Sequence, residues 1–184
     1  LKNIGYIFVS DSDTEVLLHA WVEWGETCLK KLVGMFSFAV FDTVTKELTC
    51  IRDAYGIKPF YYSMNGSNFR FASEIPALLE LLDEKPSLNM QLTYDYLVFG
   101  IYDKGKPTFY NEIERLEPGH ILSINLLDEK LTPRIERWWH PSIEQTSTLS
   151  FEDAAENLSD ASLDNVTIVG LVDIDGNVYR TVVI

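Results

Sequence analysis

Residues 52–62 read RDAYGIKPFYY, in which two opposite charges, a glycine, a lysine and a proline interrupt a largely apolar and aromatic neighbourhood. Gly56 permits the backbone conformations of a tight turn, and a proline close behind is typical of turns. We interpret Arg52 and Asp53 as a salt-bridged hinge under the Gly56 turn, with Lys58 solvated. Since none of these side chains is a ready nucleophile, the stretch predicts a structural turn between two core strands.

The segments around this turn indicate antiparallel sheets packed with helices. Ser12-Asp13-Thr14-Glu15 has the spacing of a capping box, so a helix should start near Asp13 and end near Gly25. Residues 34–42, GMFSFAVFD, are apolar on both faces and predict a core strand that forms a hairpin with a second strand over 47–52. The remaining predicted elements are a short helical segment at 26–32, strands at 60–64 and 68–72 around an Asn65-Gly66 turn, helices at 74–82 and 91–99, and strands at 120–126 and 135–139.

The composition is that of a soluble globular chain. Of its 184 residues 46% are hydrophobic and 12% aromatic, and no apolar run approaches the roughly 20 residues that a membrane helix needs. The 28 acidic residues outnumber the 15 basic ones, which gives a formal charge of −13. Because phosphate backbones and anionic membrane surfaces are bound through clustered Lys and Arg, we expect neither nucleic acid nor a membrane as partner.

The cysteines and histidines suggest no catalytic or metal site of their own. Cys28 lies among helix residues and Cys50 in a strand, so both are interpreted as packing residues. His19, His120 and His140 form no pair with metal-ligand spacing, and we predict no metal site. Two unpaired cysteines and the absence of a signal-peptide pattern favour a reducing compartment, the cytoplasm.

The composition changes beyond residue 143. Only one of the 15 basic residues, Arg180, lies there. We predict a polar linker over 145–150, a helix over 151–166, and two strands around residues 175–177. The first residue is Leu1 rather than methionine, and the last residues read as an interrupted strand, so we expect a fragment.

Asp13 is the candidate binding residue. The first turn of a helix presents free N–H groups and a partial positive charge, which order anionic groups. Two interpretations follow from the residues alone: an aspartate that only stabilises the helix start, or a carboxylate that binds the ammonium group of a ligand. The Trp138-Trp139 pair is interpreted as strand residues that face a sandwich core and its rim, rather than as a cofactor site.

Four stretches, taken in order, resemble the glutaminase domain of the glutamine-hydrolysing asparagine synthetase family, a class II glutamine amidotransferase domain. They are SDTEVLLHAWVEWGETCLKKLVGMFSFAVFD, IRDAYGIKPFYY, FRFASEIPALL and IERLEPGHIL. The resemblance covers residues 3–143, and residues 151–166 resemble the first helix of that family's synthetase domain. Phosphoribosyl-pyrophosphate amidotransferases share a similar glycine-isoleucine-basic-proline turn but lack the rest of the pattern.

The resemblance implies an α+β fold of the N-terminal-nucleophile hydrolase type, an αββα sandwich of two antiparallel sheets, incomplete at its N-terminus. It implies a partial glutaminase domain over 1–143 and a linker with the start of a synthetase-like helix over 144–166. In the family, an N-terminal cysteine thiolate attacks the glutamine carboxamide, and its α-amino group shuttles the proton. The ammonia passes to a synthetase domain, where ATP with Mg activates aspartate for amidation.

Only one ligand contact of the family falls on a residue of this chain. Asp13 matches the aspartate that binds the α-amino group of glutamine. The family's nucleophilic cysteine, its carboxylate-binding arginine and its Asn-Gly oxyanion segment all precede the position that matches Leu1. We therefore expect no catalytic residue in this chain, no glutamine hydrolysis by the chain alone, and no cofactor bound to it. The implied partners are glutamine, the synthetase domain of the parent chain, and a second copy in a homodimer.

Two alternatives to this function stay open. The chain could be a non-catalytic binding module on the same scaffold, or part of a related amidotransferase with a different acceptor. Residues 167–184 read TIVGLVDIDGNVYRTVVI and resemble the opening hairpin of the Fibrobacter succinogenes major paralogous domain family. We expect this strand-rich tail to be unrelated to the preceding domain, as in a hybrid or misjoined reading frame.

Overall fold

The computed structural model describes residues 1–141, 167–172 and 178–183, which contain three α-helices and nine strands. In chain order the elements are a 3-10 helix (Lys2–Ile4), α1 (Asp13–Trp24), a second 3-10 helix (Gly25–Lys31), β1 (Ser37–Phe41), β2 (Glu47–Arg52), β3 (Tyr61–Asn65), β4 (Asn68–Ala72), α2 (Ile75–Leu81), α3 (Met90–Phe99), β5 (Glu114–Arg115), β6 (His120–Asn125), β7 (Arg134–Arg137), β8 (Thr167–Val172) and β9 (Val178–Val183).

The chain divides into two compact units, of which the first comprises residues 1–35 and 141–184. Its helix α1 begins and ends where the sequence predicts. Ser12 is the N-cap, and its side chain accepts a hydrogen bond from the Thr14 N–H. Gly25 closes the helix with a φ of +54°, a value that a residue with a side chain rarely adopts. Strands β8 and β9 form the predicted antiparallel hairpin.

The second unit, residues 36–140, contains two antiparallel sheets. One has the strand order β1-β2-β6-β7, and the other has the order β4-β3-β5. Side chains from both sheets meet in one hydrophobic core, whose buried members are Cys50, Phe60, Tyr62, Leu116, Leu122, Ile124 and Leu131. The predicted α+β class with two packed antiparallel sheets is confirmed.

Strand β1 differs from its prediction as a core strand covered on both faces. It lies at the edge of its sheet, and Ala39 and the aromatic ring of Phe41 are exposed. The buried strand is β2, which has a neighbour on either side and is buried from Thr49 to Arg52. An apolar run indicates a strand but does not reveal whether a second strand pairs with its other edge.

The second hairpin forms as predicted, but its turn lies one residue later. Asn65 still pairs with Asn68, so Gly66 and Ser67 make the turn. Gly66 has a φ of +60°, as the first turn residue of a type II′ hairpin requires, whereas Asn65 remains in the strand. The two-residue strand β5, which pairs with Tyr61 and Tyr62, was not predicted because it is too short for any periodic pattern.

Several predictions fall outside what the structure tests. The predicted linker over 145–150 and helix over 151–166 lie outside the described residues. The domain boundaries at 1–143, 144–166 and 167–184 stay a prediction. Among the helices of the described residues, none combines the length and apolar character that crossing a membrane requires.

Candidate functional site

Asp13 is the first residue of α1, and its side chain is exposed. Within residues 1–141 its carboxylate has no hydrogen-bond or ion-pair partner. The helix start beside it is satisfied by Ser12 instead. The Ser12 carbonyl accepts from the Glu15 N–H at 3.2 Å, and the Ser12 hydroxyl accepts from the Thr14 N–H at 3.2 Å. Within those residues nothing competes for the Asp13 carboxylate, and the helix cap does not depend on it.

Glu15 departs from the geometry that a capping box predicts. In a capping box its carboxylate would accept from the N–H of the N-cap residue. Here it accepts from the Val9 and Ser10 N–H groups, both at 2.8 Å, and from the Ser10 hydroxyl at 2.6 Å. These bonds, of which the one from the Ser10 hydroxyl has the largest effect, lower the pKa of Glu15 to about 2. Glu15 thus fastens the preceding loop to α1.

Aromatic contacts hold the same loop further along the helix. The His19 ring lies 4.7 Å from the Tyr6 ring and 5.2 Å from the Phe8 ring, measured between centroids. His19 Nε2 is 3.7 Å from the Glu15 carboxylate, and the Tyr6 hydroxyl donates to Glu23 at 3.0 Å. His19 is therefore half-buried and partnered.

A depression in the surface lies beside this loop, within the first unit. It is lined by Leu1, Lys2, Asn3, Phe8, Ser10, Asp11, Val16 and Trp24. Asp13 is not among the lining residues, although Ser10 and Asp11 from the same loop are. The structure therefore places the predicted ligand residue next to the depression rather than inside it.

The turn at residues 52–62 is structural, as predicted, but Arg52 and Asp53 do not form the predicted salt bridge. Arg52 donates to the carbonyls of Gly56 at 2.5 Å, Lys58 at 2.8 Å and Leu116 at 2.6 Å. Each of the two buried charges is thus compensated mainly by backbone groups. Burial lowers the pKa of Arg52, and the neighbouring Asp53 carboxylate raises it by a smaller amount.

The Asp53 carboxylate binds backbone N–H groups of the same turn. It accepts hydrogen bonds from the N–H groups of Tyr55 at 3.1 Å, Ile57 at 3.0 Å and Lys58 at 2.9 Å. Its side chain is 1% exposed, so these donors replace the water that it loses on folding. Lys58, predicted to be merely solvated, is half-buried, and its backbone is bonded by both Arg52 and Asp53.

Two tryptophans cover this turn. The Trp138 indole N–H donates to the Arg52 carbonyl at 3.1 Å, and the Trp139 ring lies 4.8 Å from the Tyr55 ring. They follow the last residue of β7 instead of lying within it, so the prediction of alternate strand residues is wrong in detail. The Gly119 carbonyl accepts from both their N–H groups, which ends the strand pairing and turns the pair onto the loop.

The turn also requires glycine at position 56. Its φ is +64°, and a Cβ there would lie 2.6 Å from Pro118 Cγ and 3.0 Å from Arg52 Cζ. Only a residue without a side chain allows the Arg52 guanidinium to approach this closely.

Neither cysteine offers a reactive thiolate. Both side chains are fully buried, and burial raises the pKa of Cys28 and raises that of Cys50 to about 12. Both residues pack as the sequence predicts. In the part of the chain that the structure describes, no three His, Cys, Asp or Glu side chains stand where they could hold a metal ion.

Sequence reasoning missed the role of Glu15 beyond the helix cap. The spacing of residues 12–15 assigns Glu15 to the helix start, but it gives no sign that the loop before it folds back onto the same carboxylate. Two neighbouring serines, Ser10 and Ser12, were the available signal, since hydroxyls before a helix supply local hydrogen bonds.

Comparison with known proteins places these features in context. Residues 1–139 match the model of a family described as glutamine amidotransferase domain. The glutamine-hydrolysing asparagine synthetase 3 of Bacillus subtilis (strain 168) is 36% identical over 169 residues, which are 91% of this chain and 26% of that protein. The glutamine-hydrolysing asparagine synthetase 2 of the same organism is 31% identical over 66% of this chain and 17% of that protein.

Among solved structures, the glutamine phosphoribosylpyrophosphate amidotransferase from B. subtilis, complexed with ADP and GMP, aligns with 76% of this chain and 25% of its own. The identity is 26% and the TM-score 0.48. The chain spans about a quarter or less of the length of the curated relatives it matches.

Proposed function

This chain belongs to the glutamine amidotransferase domain family, and we propose that it forms the glutaminase part of an ATP-dependent amidotransferase of the asparagine synthetase type. That part hydrolyses glutamine to glutamate and ammonia, and the ammonia amidates aspartate. The observation that carries the proposal is the family match over residues 1–139, together with 36% identity to a glutamine-hydrolysing asparagine synthetase across 91% of the chain.

Asp13 is the proposed contact for the α-amino group of glutamine. Its carboxylate is exposed and, within residues 1–141, unpartnered, so it can accept a hydrogen bond from an ammonium group without first losing another partner. The helix that carries it is capped independently by Ser12. A carboxylate on such a fixed backbone binds with less loss of conformational entropy than one on a mobile loop.

The nucleophile is proposed to come from a residue outside this chain. Amide hydrolysis by covalent catalysis requires an accessible thiolate or alkoxide. Cys28 and Cys50 are fully buried, and burial disfavours their thiolates. The resemblance supplies the candidate, an N-terminal cysteine in a segment upstream of Leu1.

The other proposed partners are a synthetase domain and a second copy of the enzyme. About three quarters of the first relative lies outside the matched part, which leaves room for a synthetase domain that binds ATP with Mg and receives the ammonia. Among the residues that the structure describes, no three His, Cys, Asp or Glu side chains are grouped so that they could hold a metal ion. We place the parent enzyme in the cytoplasm, as a homodimer.

The test joins the chain at Leu1 to an upstream segment that begins with cysteine and measures ammonia release against glutamine concentration. Asp13→Asn should raise KM for glutamine about 10- to 100-fold, because a hydrogen bond to a charged group contributes about 1.5–3 kcal/mol. The control, Asp128→Asn, removes the same charge from an exposed position outside the first unit and should leave KM nearly unchanged. Equal KM values for the parent and Asp13→Asn would exclude the proposed contact.

A second candidate is a glutamine-binding module without catalysis. The burial of both cysteines favours it, because the chain would then need no nucleophile. The two functions differ in one observable: such a module binds glutamine through Asp13 but releases no ammonia even when the upstream cysteine is present.

A further inference from the structure

We propose that Glu15 is a positioning residue for the glutamine α-amino group: it fastens the loop of residues 9–12 to α1 and thereby fixes Asp13. This inference rests on the proposed function of Asp13. Glu15 itself does not touch the substrate. It acts through the loop that leads into the helix.

The first step is the anchoring of the loop by one carboxylate. Both Glu15 oxygens are used: one accepts from the Val9 N–H, and the other accepts from the N–H and the hydroxyl of Ser10. Three donors on one ionised group, at 2.6–2.8 Å, are charge-assisted hydrogen bonds of the stronger kind. The backbone of residues 9–10 is therefore fixed relative to the first turn of α1.

The second step passes from Ser10 to the residue that precedes Asp13. The Ser10 hydroxyl donates to Glu15 and also accepts from the Ser12 N–H at 3.3 Å. The Ser12 hydroxyl in turn accepts from the Thr14 N–H. A continuous series of hydrogen bonds thus runs from Glu15 through Ser10 and Ser12 to both sides of Asp13.

The third step is that this loop needs such an anchor. Val9 is 92% exposed and Ile7 is 81% exposed, so burial of these two side chains contributes little to holding the loop. The contacts of Tyr6 and Phe8 with His19 hold the loop farther from Asp13. Next to Asp13, the backbone is fixed by the polar bonds of Glu15 to the loop together with the Ser12 cap.

The experiment measures, by NMR titration, the binding of two ligands to the chain joined at Leu1 to the same upstream segment, with the first cysteine of that segment replaced by alanine so that no L-glutamine is hydrolysed. L-Glutamine carries the α-amino group, whereas 4-carbamoylbutanoate is the same molecule without it. Glu15→Gln should weaken L-glutamine binding about threefold to tenfold, since the neutral amide keeps fewer acceptors and loosens the loop. Its affinity for 4-carbamoylbutanoate should stay unchanged, because that ligand makes no contact with Asp13.

Two further variants separate positioning from general damage. Ser10→Ala removes the bridging hydroxyl but keeps the carboxylate, and it should reproduce a smaller loss for L-glutamine alone. Glu26→Gln makes the same chemical change at an exposed position of the same unit and should change neither affinity. Adding Glu15→Gln to Asp13→Asn should cause no further loss, because two residues that act through one contact are not additive.

Each outcome decides the inference. An unchanged L-glutamine affinity in folded Glu15→Gln, an equal loss for both ligands, or additive losses in the double variant would overturn it while leaving the proposed function intact. An unchanged affinity in Asp13→Asn, or no L-glutamine binding by the joined chain with Asp13 and Glu15 intact, would overturn the proposed function of Asp13 and the positioning role together.

Discussion

Arg52 and Asp53 show how two adjacent charges can be buried without pairing. Arg52 is the last residue of β2 and Asp53 the next, and successive side chains of an extended backbone point to opposite sides. The guanidinium donates to the carbonyls of Gly56 and Lys58, and the carboxylate accepts from N–H groups of the same turn, including that of Lys58. Sequence reasoning identified the turn correctly but paired the charges because they are neighbours.

Substituting Asp53 should lower the free energy of unfolding more than substituting another aspartate that shapes a turn in this chain. Asp53→Asn replaces one acceptor oxygen by an N–H₂ group that faces backbone donors, and we expect it to destabilise the fold by about 2–4 kcal/mol. Urea unfolding followed by circular dichroism measures this change through the transition midpoint at constant m-value.

Asp42→Asn is the matched control for that measurement. The Asp42 carboxylate also accepts two backbone N–H bonds, from Val44 at 2.7 Å and Thr45 at 3.0 Å, but its position is exposed. Water can replace the lost bonds there, so the shift in midpoint should be clearly smaller. Equal shifts for the two variants would show that burial of Asp53 does not set the cost.

At the scale of elements, helix boundaries were the most predictable feature. Gly25 and Gly100 end α1 and α3 at positive φ, and glycine is the residue that permits this conformation. Strand partners were less predictable. Whether β1 lies at an edge, or whether Glu114 and Arg115 pair with β3, depends on contacts between residues far apart in sequence. The local hydrophobic periodicity of a sequence does not reveal such contacts.

Helix α3 offers a direct test of capping. Asn89 is its N-cap, and the Asn89 Oδ1 accepts from the Leu92 N–H at 3.0 Å. Asn89→Ala removes this acceptor and should lower the free energy of unfolding by about 1 kcal/mol, whereas Asn89→Asp keeps it and should change stability by only a few tenths. Thermal unfolding of both variants provides the comparison, and an equal loss in both would refute the capping role.

At the scale of the whole molecule, the order of motifs was more informative than any single residue. Composition and spacing alone led to a mixed α and β domain, whereas four stretches in sequence pointed to the glutamine amidotransferase family, which the comparisons bear out. The role of Asp13 stays a prediction from that resemblance. The hydrogen bonds around Glu15 are not predictable from the sequence, because they depend on how the loop before α1 folds back.

At the scale of the whole molecule, we propose a glutaminase scaffold whose nucleophile is neither Cys28 nor Cys50. Both thiols are buried, with Cys50 shifted to a pKa of about 12, so neither should support attack on an amide near neutral pH. We propose that the chemistry depends instead on a cysteine in a segment upstream of Leu1.

The most direct measurement is ammonia release from L-glutamine. The protein tested is the folded chain joined at Leu1 to an upstream segment that begins with cysteine. We predict release that disappears when the added cysteine is replaced by serine and that survives Cys28→Ala. No release from the joined and folded chain, or release that persists without the added cysteine, would contradict the account.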